Sequence, residues 1–137
     1  MKSNERGTIL LIFVGFLSVC IASFITATNI FSIISDQKSL RNVVDQAALI
    51  GTNQINLEYY YTTELSDQVI LDSREADKFI RDFVNARYQA AEVIKLEIVT
   101  LNSQVSVNIE KKSYLPFSMG LDYVKIRASA TAMLQVN

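Results

Sequence analysis

The stretch that decides the fold reads Gly7-Thr8-Ile9-Leu10-Leu11-Ile12-Phe13-Val14-Gly15-Phe16-Leu17 and stays mostly apolar as far as Ile34. No charged residue lies between Arg6 and Asp36, so residues 7–35 are uncharged. As a helix this run would measure about 44 Å, and roughly 20 residues are enough to cross the hydrocarbon core of a bilayer. We therefore expect residues 1–35 to form an N-terminal transmembrane anchor in the cell membrane, with the chain after Asp36 on one side.

Three interpretations of this region differ in how the cell would process it. An uncleaved anchor fits the length of the run, and Lys2 and Arg6 favour a cytoplasmic N-terminus with an extracytoplasmic C-terminal domain. A cleaved secretory signal would end near residues 25–27, and a lipoprotein would be acylated at Cys20. We prefer the uncleaved anchor, because the chain stays apolar beyond residue 27 and Val19 is bulky for the position before a lipidated cysteine.

Small residues form a stripe along one side of the predicted span. Ser18, Ala22 and Thr26 recur every four residues, and Gly15 lies one turn earlier on nearly the same face. Small side chains allow a second membrane helix to approach closely. The spacing therefore predicts a helix-packing face in the membrane made by Gly15, Ser18, Ala22 and Thr26.

Beyond Asp36 the pattern changes from uniformly apolar to amphipathic. Apolar or small residues recur at spacings of three and four, which is typical of one helix face; they are Leu40, Val43, Val44, Ala47, Ala48 and Gly51. No Pro or Gly interrupts residues 16–50, and a glycine such as Gly51 commonly ends a helix. We expect one helix over about residues 8–53, in which residues 36–53 are an amphipathic extension of the anchor.

The segment Leu40-Arg41-Asn42-Val43-Val44-Asp45-Gln46-Ala47-Ala48-Leu49-Ile50-Gly51, which follows an apolar anchor led by a glycine, resembles the N-terminal region of the TadE/TadG-like proteins. The closing residues 124–132 also resemble the final strand of that family. Members of the family are pilin-like components of tight-adherence (Flp) pilus and type II/IV secretion loci in bacteria. The resemblance implies a partner-helix face made by Leu40, Val44, Asp45, Ala47, Ala48, Leu49 and Gly51.

Gly7 is the candidate processing site if the chain is cut as pilins are. Pilins are typically cut after a glycine and carry a glutamate at the fifth position of the mature chain. In this chain that position is Ile12, and no acidic residue occurs in the span. TadG-like members of the family also tend to lack this signature.

The remaining residues 54–137 predict a small α+β extracytoplasmic domain. A helix is expected from about Arg74 to Ala91, after a capping box formed by Asp72 and Glu75. Alternating or apolar patterns predict strands over residues 93–100, 104–110 and 123–136, with a tight turn at residues 102–103. Residues 59–61, three consecutive tyrosines, are interpreted as part of a packed loop. The predicted architecture is a long N-terminal helix followed by one helix on an antiparallel sheet of about three strands, as in pilins.

The composition argues against several classes of function. Two of the 13 basic residues and one of the 14 acidic residues precede Asp36, which leaves 11 basic against 13 acidic and no basic patch for nucleic acid. Histidine is absent and the single cysteine lies in the apolar run, so neither a Cys/His metal site nor ordinary acid–base catalysis near neutral pH is expected. We expect no cofactor, no small-molecule substrate and no enzyme activity.

Two hypotheses about function follow from the residues and the resemblance. In the first, the chain is a pilin-like component of a Tad/Flp-type pilus or a type II/IV secretion assembly. Its partners would be the lipid bilayer and other pilin-like or assembly subunits, including copies of itself. In the second, the chain is a membrane-tethered binding module or lipoprotein unrelated to pili. The face from Leu40 to Gly51 separates them, because intermolecular contacts there favour the assembly and packing within the chain favours the tethered module.

Overall fold

A computed structural model describes residues 4–54, 73–101, 104–118 and 120–133. In these residues the elements are the helices α1 (Asn4–Thr52) and α2 (Ser73–Arg87) and the strands β1 (Val93–Leu101), β2 (Gln104–Tyr114) and β3 (Tyr123–Met133). The predicted α+β class is confirmed, with a long apolar N-terminal helix, a second helix and a three-stranded antiparallel sheet. The capping residue Asp72, the three tyrosines and the turn at residues 102–103 lie outside the described residues.

The sheet has the strand order β1-β2-β3, and both neighbouring pairs are antiparallel. Val107 of the central strand lies between Ile98 of β1 and Ala130 of β3. Buried residues alternate with half-buried ones along β2. Because successive side chains of a strand point to opposite faces, the sheet has one face in the core and one polar face towards solvent.

Both helices pack on the apolar face of the sheet. The buried cluster joins residues of α1, α2, β2 and β3, namely Leu40, Val44, Ala47, Ala48, Ile80, Val84, Val105, Val107, Ile109, Ile126 and Ala128. At Gly51, α1 approaches both α2 and β2 closely, because a Cβ atom there would stand 2.7 Å from Ile80 Cδ1 and 2.9 Å from Val105 Cγ1. The close packing thus favours glycine at this position, whereas the sequence alone indicated only a helix end.

Two element boundaries differ from the predictions for identifiable reasons. Strand β2 continues to Tyr114 rather than ending at Glu110, because Lys111 and Ser113 occupy inward positions and are buried despite their polarity. Helix α2 ends at Arg87, four residues before the predicted end, and Tyr88 donates a last amide hydrogen bond to the carbonyl of Val84 at 2.9 Å. The residues that α2 buries are Ala76, Ile80 and Val84, whereas Phe79 is exposed.

The anchor and the folded domain overlap along α1. Asn29, six residues before the predicted boundary at residue 35, already makes hydrogen bonds to Phe117 in the segment between β2 and β3. Leu40, Val44, Ala47 and Ala48 of α1 supply a large part of the core. We define the arm as residues 7–28, and the head as residues 29–52 with α2 and the sheet.

Candidate functional site

The arm is a helix whose apolar side chains lie on its surface. The most apolar window of α1 has no residue buried within the chain, and α1 is long and apolar enough to cross a membrane. Large side chains point outward all round it, including Leu11, Phe16 and Phe24. At 1.5 Å per residue the 22 residues of the arm span about 33 Å, close to the thickness of the hydrocarbon core of a bilayer.

Four hydroxyl groups of the arm, those of Ser18, Ser23, Thr26 and Thr28, donate to carbonyls of their own helix. Ser18 Oγ donates to the carbonyl of Val14 at 2.9 Å, and Thr26 Oγ1 donates to that of Ala22 at 2.9 Å. Ser23 makes the same kind of bond one turn back. Since hydroxyls bonded in this way need no water, they are compatible with a lipid environment.

The predicted membrane-packing residues Gly15, Ser18, Ala22 and Thr26 are all exposed. A Cβ atom added at Gly15 would meet nothing within 4 Å. At about 100° per residue these positions share a helix side with Asn29, where the head begins. The stripe therefore runs along the side of the arm that lies below the head, and its packing against another helix stays a prediction.

The predicted partner-helix face is largely occupied within the chain. Five of its residues are in or against the core of the head and have almost no exposed surface; they are Leu40, Val44, Ala47, Ala48 and Gly51. Asp45 and Leu49 are exposed on other sides of the helix. Amphipathic spacing identifies a buried face but not which element covers it, and within the chain these five residues are covered by the sheet and α2. A role of this face in contacts with another subunit stays a prediction.

Where the arm meets the head, the loop between β2 and β3 is fastened to α1. The Asn29 side chain donates from Nδ2 to the carbonyl of Phe117 at 2.9 Å and accepts from the Phe117 amide at 3.1 Å. The base of the loop is closed by the Leu115 amide, which donates to the carbonyl of Asp122 at 3.2 Å. Gly120 supports the turn with a φ of 92°, a conformation that favours glycine.

Two further polar contacts hold α1 on the sheet just above this loop. Ser113 Oγ donates to the Asp36 carboxylate at 2.6 Å. Gln37 donates from Nε2 to the carbonyl of Arg127 at 2.7 Å. Asp36, the first charge after the apolar run, is thereby held level with the last residues of β2. These bonds fix the height of the head along α1.

A buried lysine lies beside this junction on the inward face of β2. Lys111 is only 8 % exposed, and its Nζ lies 4.5 Å from the centroid of the Tyr88 ring. A ring face attracts a cation, which helps to compensate for the removal of the ammonium group from water. Burial raises the pKa of Tyr88 above its usual value, because it disfavours the charged phenolate.

Near the junction the head exposes several apolar and aromatic side chains, which we call the apolar collar. They lie on α1 directly after Asn29 and on the β2–β3 hairpin that Asn29 binds, and are Ile30, Phe31, Tyr114, Phe117, Leu121 and Tyr123. Tyr114 and Tyr123 are paired across the hairpin with ring centroids 6.2 Å apart, and Lys112 Nζ lies 5.1 Å from the Tyr123 ring. The collar was not predicted from the sequence, although the apolar residues that lie among turn formers in this loop were an available signal.

The outward face of the sheet is polar and carries ion pairs. Arg127 Nη2 lies 2.7 Å from Glu110 Oε2, and Lys95 pairs with Glu97. The hydrogen bond from Arg127 lowers the pKa of Glu110, and that from Lys95 lowers the pKa of Glu97. In the described part of the chain no group of three or more His, Cys, Asp or Glu side chains could hold a metal ion.

Comparison with known proteins gives no relative. No family model, curated protein or solved structure matches the chain.

Proposed function

We propose that the chain is a non-enzymatic, single-pass membrane protein that acts as a pilin-like subunit of a bacterial pilus or secretion assembly. The observation that supports this most is the division of α1. One unbroken helix has a first part that is apolar on every side and free of the head, and a second part that supplies much of the head's core. A partner that binds the arm therefore also positions the head, because one continuous helix connects them.

The orientation and the packing surface belong to the same proposal. Lys2 and Arg6 precede the arm and favour a cytoplasmic N-terminus, which leaves the head outside the cytoplasm. The stripe of Gly15, Ser18 and Ala22, continued by Thr26, is the surface through which other helices would approach. The resemblance of residues 40–51 to the TadE/TadG-like proteins supports the choice of assembly.

A second candidate function is a membrane-tethered binding module. It is favoured by the burial of Leu40, Val44 and Ala47 against the chain's own sheet, since the head then needs no neighbouring helix to complete its core. In that function the arm is only an anchor, and the head acts through its own exposed surface.

Cysteine cross-linking in cells that express the full-length chain separates the two. In a Cys20→Ala background, Ala22→Cys places a thiol on the small-residue stripe, and Phe24→Cys places one on the opposite side of the helix. The assembly predicts a cross-linked adduct at position 22 and a much weaker one at position 24, with the partner identified by the adduct's mass. Equal or absent cross-linking at both positions would favour the tethered module.

The intact mass of the protein extracted from membranes tests the anchor itself. An unprocessed mass supports an uncleaved span. Loss of residues through Gly7 would indicate pilin-type processing, loss through Val19 with added lipid would indicate a lipoprotein, and loss near Ala27 would remove the membrane anchor.

A further inference from the structure

The apolar collar lies at the same height as the upper end of the uncharged run of α1. Asn29 holds Phe117, and the uncharged run continues for six residues above Asn29, a rise of about 9 Å. Asp36, where charge returns, is bonded to Ser113, next to the last residue of β2. The loop after β2 therefore lies alongside helix residues that belong to the apolar run.

The β2–β3 hairpin loses its charges at the same level. Lys112 and Lys125 face each other across the strands, and in the sequence between them Asp122 is the sole charge. Below the lysines come the paired Tyr114 and Tyr123, and the loop carries Phe117, 43 % exposed, and Leu121, 66 % exposed. The side chains thus change from basic to tyrosine to apolar towards the tip. The same order is found in membrane proteins from the aqueous side of the bilayer surface to its hydrocarbon core.

We propose that the tip of the β2–β3 hairpin is a second membrane contact, in which Phe117 and Leu121 lie in the outer surface of the bilayer that the arm crosses. This inference rests on the proposed membrane span of α1. Tyr114 and Tyr123 then stand among the lipid headgroups, and Lys112 and Lys125 face their phosphates. Phe31, which is 73 % exposed on α1 at the same level, is covered by lipid as well.

The choice of lipid over a protein partner follows from the position of the collar. The exposed apolar residues of the collar continue those of the arm, and no charged residue of α1 lies between them. The same lipid environment therefore suits both surfaces. A head held at the hairpin and at α1 has two attachments to the bilayer surface. Its tilt and rotation about the arm are then restricted, and the polar face of the sheet has a fixed direction relative to the membrane.

Single tryptophans test this directly, because the chain has none. Full-length Phe117→Trp is reconstituted into phosphatidylcholine–phosphatidylglycerol vesicles with and without lipids brominated near the top of the acyl chain. The substitution keeps the Asn29 contacts, which use the backbone of Phe117. We expect blue-shifted emission that brominated lipid quenches, and the same from Leu121→Trp. Val99→Trp, exposed on β1 about 26 Å along the sheet from the level of Tyr114, should keep its emission.

Phe24→Trp reports on the arm and separates failure of this inference from failure of the proposed function. Quenching of Phe24→Trp without quenching of Phe117→Trp and Leu121→Trp would overturn the hairpin contact and leave the span intact. Blue-shifted but unquenched emission at the tip would also overturn it, since the tip would then be covered by protein. If Phe24→Trp is not quenched, α1 does not cross the bilayer, and both proposals fail.

Discussion

Asn29 and Phe117 are 88 positions apart in the chain, and the side-chain amide of the first makes both hydrogen bonds to the backbone of the second. The pair connects α1, at the point where the arm ends and the head begins, to the tip of the β2–β3 hairpin. A carboxamide carries an acceptor oxygen and an NH2 donor group on the same carbon, so it can bind the amide and the carbonyl of a single residue.

Replacement of Asn29 by alanine should release the hairpin loop without unfolding the head. Two hydrogen bonds are lost, each worth about 0.5–1.5 kcal/mol net. We expect hydrogen exchange at the Phe117 amide to accelerate by roughly tenfold or more, since 1.4 kcal/mol corresponds to a factor of ten. Ser23→Ala is the control, because that hydroxyl bonds only its own helix. An unchanged exchange rate at Phe117 would contradict the contact.

Two leucines of α1 provide a matched test of which face of the helix builds the core. Leu40 is fully buried and Leu49 is 58 % exposed. Leu40→Ala should lower the free energy of unfolding of the head by about 2–5 kcal/mol, because it removes buried methyl groups and leaves a cavity. Leu49→Ala should change it by less than about 0.5 kcal/mol. Denaturant unfolding of the full-length protein in detergent measures both.

The opposite pattern for the two leucines would show that this part of α1 packs on another chain instead of on its own sheet. A loss of stability at Leu49 that depends on protein concentration would point to the same conclusion.

Two glycines of α1 differ in the space around them. At Gly51 an added Cβ would lie under 3 Å from Ile80 and Val105, whereas at Gly15 it would meet nothing within 4 Å. We expect Gly51→Ala to destabilise the head by about 1–3 kcal/mol through overpacking. Gly15→Ala should leave the unfolding of the head unchanged, because it lies in the arm. Thermal unfolding monitored by near-UV circular dichroism distinguishes them, and equal melting temperatures would refute the close packing at Gly51.

We expect the Arg127–Glu110 ion pair to make a small, pH-dependent contribution to the free energy of unfolding of the head. Because its pKa is lowered in the folded state, Glu110 stabilises the fold at pH values above its unfolded pKa of about 4.3, and this contribution is lost as the pH falls through the lower folded pKa. Glu110→Gln should therefore be less stable than the natural chain at pH 7 and equal to it at strongly acidic pH.

The same substitution in an Arg127→Gln background isolates the pair. With the guanidinium absent, Glu110→Gln should have little effect at any pH, since the interaction it removes is already gone. An equal loss of stability in both backgrounds would assign the effect to something other than Arg127. Denaturant unfolding at a series of pH values gives the four free energies that this comparison needs.

Local patterns in the sequence were enough for the fold class and for most of the elements. Helix is predicted both by the uncharged run of residues 7–35 and by the spacing of Leu40, Val44 and Ala47. No proline or glycine separates the two segments. The strict alternation of Val105, Val107 and Ile109 calls for a strand buried on one face. These signals are periodic and local, so they can be interpreted before any contact is known.

Only the tertiary structure decided what each face meets. The spacing of Leu40 to Gly51 indicates a buried face without saying what covers it, and in the structure this face packs on the chain's own sheet and α2. The extension of β2 through Lys111 and Ser113 needed partners from elsewhere, Tyr88 and Asp36, which offset the burial of polar groups. The level at which the hairpin meets α1 depends on Asn29 and Phe117, and no local pattern links residues so distant in the chain.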